Sequence, residues 1–399
     1  LGPRRVLSGD VGAPVPPPYR LADNEFSLLD STDLVFIDPV STGYSRPAPG
    51  EDAKQFHGVE QDVETVGEFI RLYVTRYKRW SSPKFLIGES YGTTRASALA
   101  GHLLERHGLY LNGLMLVSAV INFGTLEFLP GNDLPYILYV PAYTATAWYH
   151  RKLDAELQEN LPRALEEAKA FAYGPYMQAL FRGDALPAEE RAAVVQQLAR
   201  LTGLTPEYVE RTNLRIEHMR FCKELLRDQR RTVGRLDSRF TGADRDAAGE
   251  TMSYDPSSAA TSGPYAGALN SYVREELNYT SDLPYEILAH LYESWDYGKH
   301  QNKFVDMSET LRSAMTQNPF LKVIIANGYF DLATPFSATE YTVDHLALEP
   351  ELRGNVQMTY YEAGHMMYVH GPSLAKLAGD LRGYLQGVVA HVAPENAPD

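Results

Sequence analysis

Short apolar runs that alternate with stretches of helical periodicity are the feature that most constrains this fold. Five runs are predicted strands, at residues 34–37, 85–87, 114–117, 323–326 and 356–361. Between the first two, residues 52–77 carry apolar side chains three and four apart, which is the spacing of one helix face. Strands that are joined by helices pair in parallel, and the helices cover the sheet on both faces. The pattern therefore predicts an α/β domain with a mostly parallel central sheet.

Residues 122–303 differ, since they show no clear strand and several helical patterns. The clearest are residues 187–200 and 206–231, with Thr205 as the N-cap of the second. We interpret this region as a mainly helical cap inserted between two parts of one domain, residues 1–121 and 304–399. An apolar stripe over residues 374–388 predicts a last helix.

Residues 242–262 are rich in Gly, Asp, Ser and Ala, which predicts a loop. Asp244, Asp246 and Glu250 lie in it, but the full calcium-loop pattern is absent, so we expect a solvated turn and no metal.

Composition narrows the function classes. The 399 residues carry a formal net charge of -14, which argues against nucleic acid or anionic membranes as partners. No run approaches the roughly 18 apolar residues of a membrane span. The one cysteine, Cys222, has no metal-ligand spacing around it and is interpreted as a packing residue.

The pentapeptide Gly88-Glu89-Ser90-Tyr91-Gly92 follows one apolar run and opens a helical run over residues 93–106. Its G-x-S-x-G pattern is weak alone, but a strand before it and a helix after it form the sharp turn that exposes a nucleophilic serine. A serine hydroxyl needs a neighbouring base, and the base needs an orienting group. The context therefore predicts Ser90 as a nucleophile in an α/β-hydrolase fold.

The partners of Ser90 should follow later strands, in the order acid and then histidine. Asp331 comes just after residues 323–326 and His365 just after residues 356–361, so both should reach the sheet edge that carries Ser90. Alternatives stay open at both positions. Asp331 could only tighten its turn, and His370 could be the base instead.

These motifs resemble the serine carboxypeptidase family, specifically its bacterial, cysteine-poor branch, over nearly the whole chain. The matching stretches are residues 36–45, GESYG, NGYFD at 327–331 and AGHMMY at 363–368. The resemblance implies an exopeptidase without a cofactor, which cleaves C-terminal residues of peptides through an acyl-enzyme. It also suggests a periplasmic or secreted protein.

The resemblance further implies that Glu89, if protonated, binds the terminal carboxylate of the substrate, and that peptide cleavage is fastest at mildly acidic pH. The alternative for Glu89 is a buried support of the turn. The Tyr91 backbone N–H is the expected first oxyanion donor. The family's second donor lies in an upstream Asn-Gly-Gly-Pro-Gly segment. The chain starts at Leu1-Gly2-Pro3 without a signal peptide, so we expect that segment to be missing here.

Two other functions stay open. A related acyltransferase or esterase would pass the same acyl group to an alcohol or cleave an ester. A non-catalytic domain could keep the fold without the chemistry.

Overall fold

Two short antiparallel strands precede the main sheet. In the computed structural model, which describes residues 2–7, 9, 11 and 15–392, β1 (Arg4–Val6) pairs with β2 (Leu21–Asp23). The strand predicted at residues 34–37 is wrong, because among the described residues this segment pairs with no strand. Val35 and Phe36 are 44% and 72% exposed. An apolar run without a hydrogen-bonded neighbour does not form a strand, even though Leu34 and Ile37 pack partly buried against the core.

The first part of the α/β domain follows the predicted order. It consists of α1 (Val59–Arg76), β3 (Phe85–Ser90), α2 (Tyr91–His107) and β4 (Gly113–Ala119). Gly108 ends α2 in the left-handed conformation, and its N–H bonds back to the last turn. The apolar periodicity of residues 52–77 thus belongs mainly to α1.

The inserted cap is helical, and its helices lie in the following order: α3 (Leu134–Tyr149), α4 (Ala155–Gln158), α5 (Leu161–Phe171), α6 (Met177–Arg182), α7 (Ala188–Thr202), α8 (Pro206–Arg211), α9 (His218–Glu224) and α10 (Pro256–Glu275). Between α9 and α10 an antiparallel ribbon forms from β5 (Arg231–Val233) and β6 (Thr241–Ala243), which no pattern in the sequence indicated. Thr205 caps α8 as predicted, since its side chain accepts from the Tyr208 N–H.

Two predicted boundaries in the cap are wrong. The helical run at residues 206–231 breaks because Asn213 and Leu214 adopt positive φ angles of 51° and 65°, which helices do not accommodate. The loop predicted at residues 242–262 ends earlier, where the Asp255 side chain caps α10. Asp244 is also not solvated: it pairs with Lys223 at 2.6 Å, and the two side chains are 6% and 4% exposed.

The chain then returns to the sheet through α11 (Ser308–Gln317), β7 (Lys322–Gly328), α12 (Phe336–Asp344), α13 (Pro350–Arg353), β8 (Val356–Tyr361) and α14 (Gly371–Val392). The strand order is β3-β4-β7-β8, and all neighbours are parallel. Among the described residues no helix combines the length and the apolar character that crossing a membrane requires.

The core has a separate part on each face of the sheet. Along β4, Leu114 and Leu116 pack in one cluster with α1, α2 and α11, whereas Met115 and Val117 pack in another with α14. This two-residue alternation is what a strand covered on both faces requires. A third cluster fills the cap and also includes Phe330, Leu332 and Phe336, which follow β7. The cap is therefore packed onto the chain segment that leaves the sheet at its carboxyl edge.

Candidate active site

Ser90 lies on a strained turn between β3 and α2. Its φ of 55° and ψ of -126° lie outside the common regions for a residue with a side chain, at a cost of about 1–3 kcal/mol. Gly88 makes the turn possible, because a Cβ there would lie 2.1 Å from the carbonyl oxygen of Gly92. A Cβ on Gly92 would meet nothing within 4 Å. The sharp strand-to-helix turn predicted from the pentapeptide is present.

Asp331 is fully buried in the turn after β7. One carboxylate oxygen, Oδ1, accepts hydrogen bonds from the N–H groups of Ala333 and Thr334 at 2.8 and 2.9 Å. The other, Oδ2, accepts from the Thr334 hydroxyl at 2.8 Å and lies 2.8 Å from His365 Nδ1. Asp331 therefore does both things that the sequence left open. One oxygen tightens the turn, and the other contacts the histidine.

His365 is held on its ring and on its backbone. Its N–H donates to the carbonyl of Leu236 at 2.6 Å, and its carbonyl accepts from the Ser118 hydroxyl at 2.6 Å. Burial alone lowers the pKa of His365, but the charge and hydrogen bond of Asp331 raise it above its ordinary value. With Nδ1 directed at Asp331, a neutral imidazole leaves Nε2 free to accept a proton.

A loop of the cap supports the histidine, and sequence reasoning missed it. Asp237 and Arg239 form a buried ion pair at 2.7 Å. Asp237 accepts from the Gly364 N–H at 3.2 Å, and Arg239 donates to the carbonyl of Glu362 at 2.6 Å. The two loops lie so close together that a Cβ on Gly364 would lie 2.4 Å from the Cβ of Asp237. An Asp and an Arg two residues apart carry no local signal, so only the fold identifies this support.

Ser90 and His365 line the same cavity, of about 480 Å³. Its wall is mostly apolar and aromatic and includes Tyr139, Tyr292, Trp295 and Tyr297. His370, the alternative base, is not in this wall, and its Nδ1 lies 2.8 Å from the Ser373 hydroxyl. The structure thus places Ser90, Asp331 and His365 at one edge of the sheet and leaves His370 outside the cavity wall.

Glu89 precedes the serine but lies outside the wall of the cavity. Its Oε1 accepts from the Tyr368 hydroxyl at 3.0 Å. Burial raises the pKa of Glu89 above its ordinary value, although the charge of His365 and the Tyr368 hydrogen bond oppose that shift. A carboxyl group in this environment can be protonated at mildly acidic pH and then donate a hydrogen bond.

Tyr91 is the first residue of α2, where helix N–H groups have no acceptor within the helix. Its N–H is therefore suited to bind an anion that forms on a group attached to Ser90. The Tyr91 ring is fixed between Trp295, with centroids 5.7 Å apart, and the guanidinium of Arg95. Within the described part of the chain, no cluster of three or more His, Cys, Asp or Glu could hold a metal ion.

Comparisons with known proteins identify a family and a fold. A family model described as serine carboxypeptidase matches residues 14–386. No curated protein matches the chain in sequence. Among solved structures, the chain is similar to Kex1Δp, a prohormone-processing carboxypeptidase from Saccharomyces cerevisiae. The TM-score is 0.54 at 16% identity, with 98% of this chain and 78% of the other covered. A lipase in its open form matches at a TM-score of 0.32 and 16% identity, over 88% of this chain and 79% of the other.

Proposed function

Because the chain belongs to the serine carboxypeptidase family and has the α/β-hydrolase fold, we propose that it hydrolyses the C-terminal peptide bond of peptides. The observation that carries the proposal is the buried hydrogen bond between Asp331 and His365. His365 lies in the wall of the same cavity that Ser90 lines. An imidazole oriented in this way can activate a serine hydroxyl, which is otherwise a poor nucleophile.

In the acylation step, Ser90 Oγ attacks the carbonyl carbon of the last peptide bond and its proton passes to His365 Nε2. The negative charge that forms on the carbonyl oxygen is stabilised by the Tyr91 N–H at the start of α2. His365 then gives the proton to the leaving amine, so the C–N bond breaks and the terminal amino acid departs. Asp331 stabilises the imidazolium throughout without accepting its proton.

In the deacylation step, a water molecule takes the place of the leaving amine. His365 accepts a proton from the water as its oxygen attacks the ester on Ser90. The proton then returns to Ser90 Oγ, and the shortened peptide is released with a new carboxylate. The enzyme is thereby restored.

The experiment that tests this mechanism combines covalent labelling with product analysis. We expect a fluorophosphonate to label the wild-type protein and Ser97→Ala, but not Ser90→Ala. Ser97 is a suitable control because it lies in α2, buried, with its hydroxyl bonded to the carbonyl of Thr93. The wild type should release a free amino acid from N-blocked dipeptides. Labelling that persists in Ser90→Ala would contradict the proposal. So would a wild type that releases no amino acid, or one that releases it together with an ester of an added alcohol in place of the N-blocked free acid.

We assign Glu89 to the terminal carboxylate of the substrate. An ionised Glu89 would repel that carboxylate, whereas a protonated one can donate a hydrogen bond to it. As the pH rises through the raised pKa of Glu89 the proton is lost, so peptide cleavage should decline on the alkaline side. On the acidic side activity should decline because His365 becomes protonated. A charged Glu89 contributes to the raised pKa of His365, so protonation of Glu89 removes that contribution and keeps His365 neutral to lower pH. The acidic and alkaline limbs of the pH profile each report on Glu89 and His365 together, because the charges of the two groups interact.

The pH dependence of kcat/KM tests this assignment. For N-blocked dipeptides we expect an optimum at mildly acidic pH, and for Glu89→Gln, which keeps a neutral donor, an alkaline limb moved to higher pH. Esters of the same dipeptides lack the terminal carboxylate and should lack the Glu89 limb in both proteins. A peptide profile that peaks above neutrality and is unchanged in Glu89→Gln would exclude this role.

A further inference from the structure

The cavity beside Ser90 contains a cation to which the proposed chemistry assigns no role. Arg235 belongs to the cavity wall, and its side chain is partly buried. In the described part of the chain no acceptor hydrogen-bonds its guanidinium and no carboxylate forms an ion pair with it. Its nitrogens are not among the buried, unpartnered polar atoms of the described residues, so water reaches the guanidinium. An anionic group of a ligand in this largely apolar cleft can therefore pair with it without first breaking an internal ion pair.

The backbone of Arg235 is fixed close to the reacting groups. Its N–H donates to Asp255 at 3.2 Å, and its carbonyl accepts from the N–H of Leu332, the residue after Asp331, at 3.0 Å. The charge of Arg235 also acts on His365, whose pKa it lowers against the larger effect of Asp331. The cation therefore lies near the reacting groups, on a loop that hydrogen bonds to Asp255 and Leu332 hold in place.

The other ionisable groups of the cavity wall do not compete for this role. His218 lies 2.8 Å from Glu217 and stacks on Phe128, with centroids 5.2 Å apart. Glu127 is exposed at the cavity wall, where solvent screens its charge. Arg235 thus supplies the positive charge that is available to a substrate.

We propose that Arg235 binds a carboxylate of the substrate, and that this carboxylate is the side chain of an Asp or Glu on the acyl side of the scissile bond. The inference rests on the proposed function, in which the terminal carboxylate binds at Glu89. Glu89 lies outside the cavity wall and Arg235 lies in it, so the two recognise different parts of the peptide. The planar guanidinium can hold a carboxylate through two parallel hydrogen bonds. The protein would then favour peptides with an acidic penultimate residue.

The test compares N-blocked dipeptides that share a C-terminal Phe and carry Glu, Gln, Leu or Lys before it. We expect wild-type kcat/KM for Glu to exceed that for the isosteric Gln by about ten- to a hundredfold. In Arg235→Met that ratio should fall to near one, while kcat/KM for Leu at its pH optimum changes little. The acidic limb of the Leu profile should move to higher pH, because the charge of Arg235 no longer lowers the pKa of His365. In Arg235→Glu the preference should shift to Lys. Arg231→Met is the matched control, since this exposed arginine lies in the same ribbon and bonds Thr241, and it should keep the wild-type ratio.

Several outcomes would overturn the inference. One is a wild type that does not distinguish Glu from Gln. Another is a loss of kcat/KM in Arg235→Met that is equal for all four dipeptides but absent for their esters. That result would place the terminal carboxylate at Arg235. A loss of kcat/KM that is equal for the dipeptides and their esters would show that Arg235 positions His365 and does not bind a carboxylate. If Leu-Phe is cleaved in each of these cases, the proposed peptidase function still stands. If the wild type releases no Phe from any dipeptide, both proposals fail.

Discussion

At the scale of single residues, the two glycines around Ser90 have different roles. A Cβ on Gly88 would overlap backbone atoms of Gly92 at 2.1 and 2.4 Å, and backbone cannot move aside as a flexible side chain can. We expect Gly88→Ala to lower the free energy of unfolding by about 1–3 kcal/mol or more, as overpacking does. Reactivity of Ser90 with a fluorophosphonate should fall as well, because the turn must open. Thermal denaturation and labelling rates measure the two effects.

Gly92 is the matched control. It lies within α2 and its Cβ would meet nothing within 4 Å, so Gly92→Ala should be neutral or slightly stabilising, because alanine favours a helix over glycine by up to about 1 kcal/mol. Equal melting temperatures for Gly88→Ala and Gly92→Ala would show that the close approach at Gly88 does not determine the turn.

At the scale of elements, the loop that joins β5 and β6 supports the loop that carries His365. Arg239→Met leaves the carboxylate of Asp237 buried without its cation, which typically costs about 3–5 kcal/mol. The double variant Asp237→Asn, Arg239→Met removes both charges and should lose less stability than Arg239→Met alone. Urea denaturation of the single and double variants measures the coupling between the two side chains.

An exposed arginine of the same ribbon provides the comparison. Arg231→Met, which removes hydrogen bonds to Thr241, should cost less than about 1 kcal/mol. Amino acid release should be lower in Arg239→Met than in Arg231→Met, since Arg239 donates to Glu362 in the His365 loop. Purely additive stability losses at positions 237 and 239 would refute a coupled support.

At the scale of the whole molecule, the cap and the sheet share a core. Phe330, Leu332 and Phe336 follow β7 but pack in the same cluster as Cys222 of the cap. We therefore expect both parts to unfold together. Cys222 reports on this because it is the chain's one cysteine, it is fully buried, and burial raises the pKa of its thiol well above the ordinary value.

The measurement is the reactivity of Cys222 with a thiol reagent in increasing urea, compared with far-ultraviolet circular dichroism. We expect the thiol to become reactive at the same urea concentration at which helix and strand content is lost. A thiol that reacts at distinctly lower urea would show that the cap opens on its own.

Local patterns in the sequence were enough to predict the four strands of the main sheet, the helices α1, α2 and α14, and the positions of Ser90, Asp331 and His365 at the ends of those strands. The physical reason is that parallel strands end at one edge of a sheet, so residues just after successive strands meet there whatever lies between them. Local patterns also misled at residues 34–37, because an apolar run does not show whether it has a neighbour with which to pair.

The tertiary structure alone decided what surrounds the three residues. Ser118 reaches the carbonyl of His365 across 247 positions of sequence, and Asp237 reaches Gly364 across 127. Arg235 enters the cavity wall from the cap, which no periodicity indicated. Such contacts depend on how distant segments pack against one another, and a strand or helix pattern holds information only about its near neighbours. The sequence thus determined which residues follow the ends of the strands, and the packing of the cap determined what supports them and which charge lies in the cavity wall.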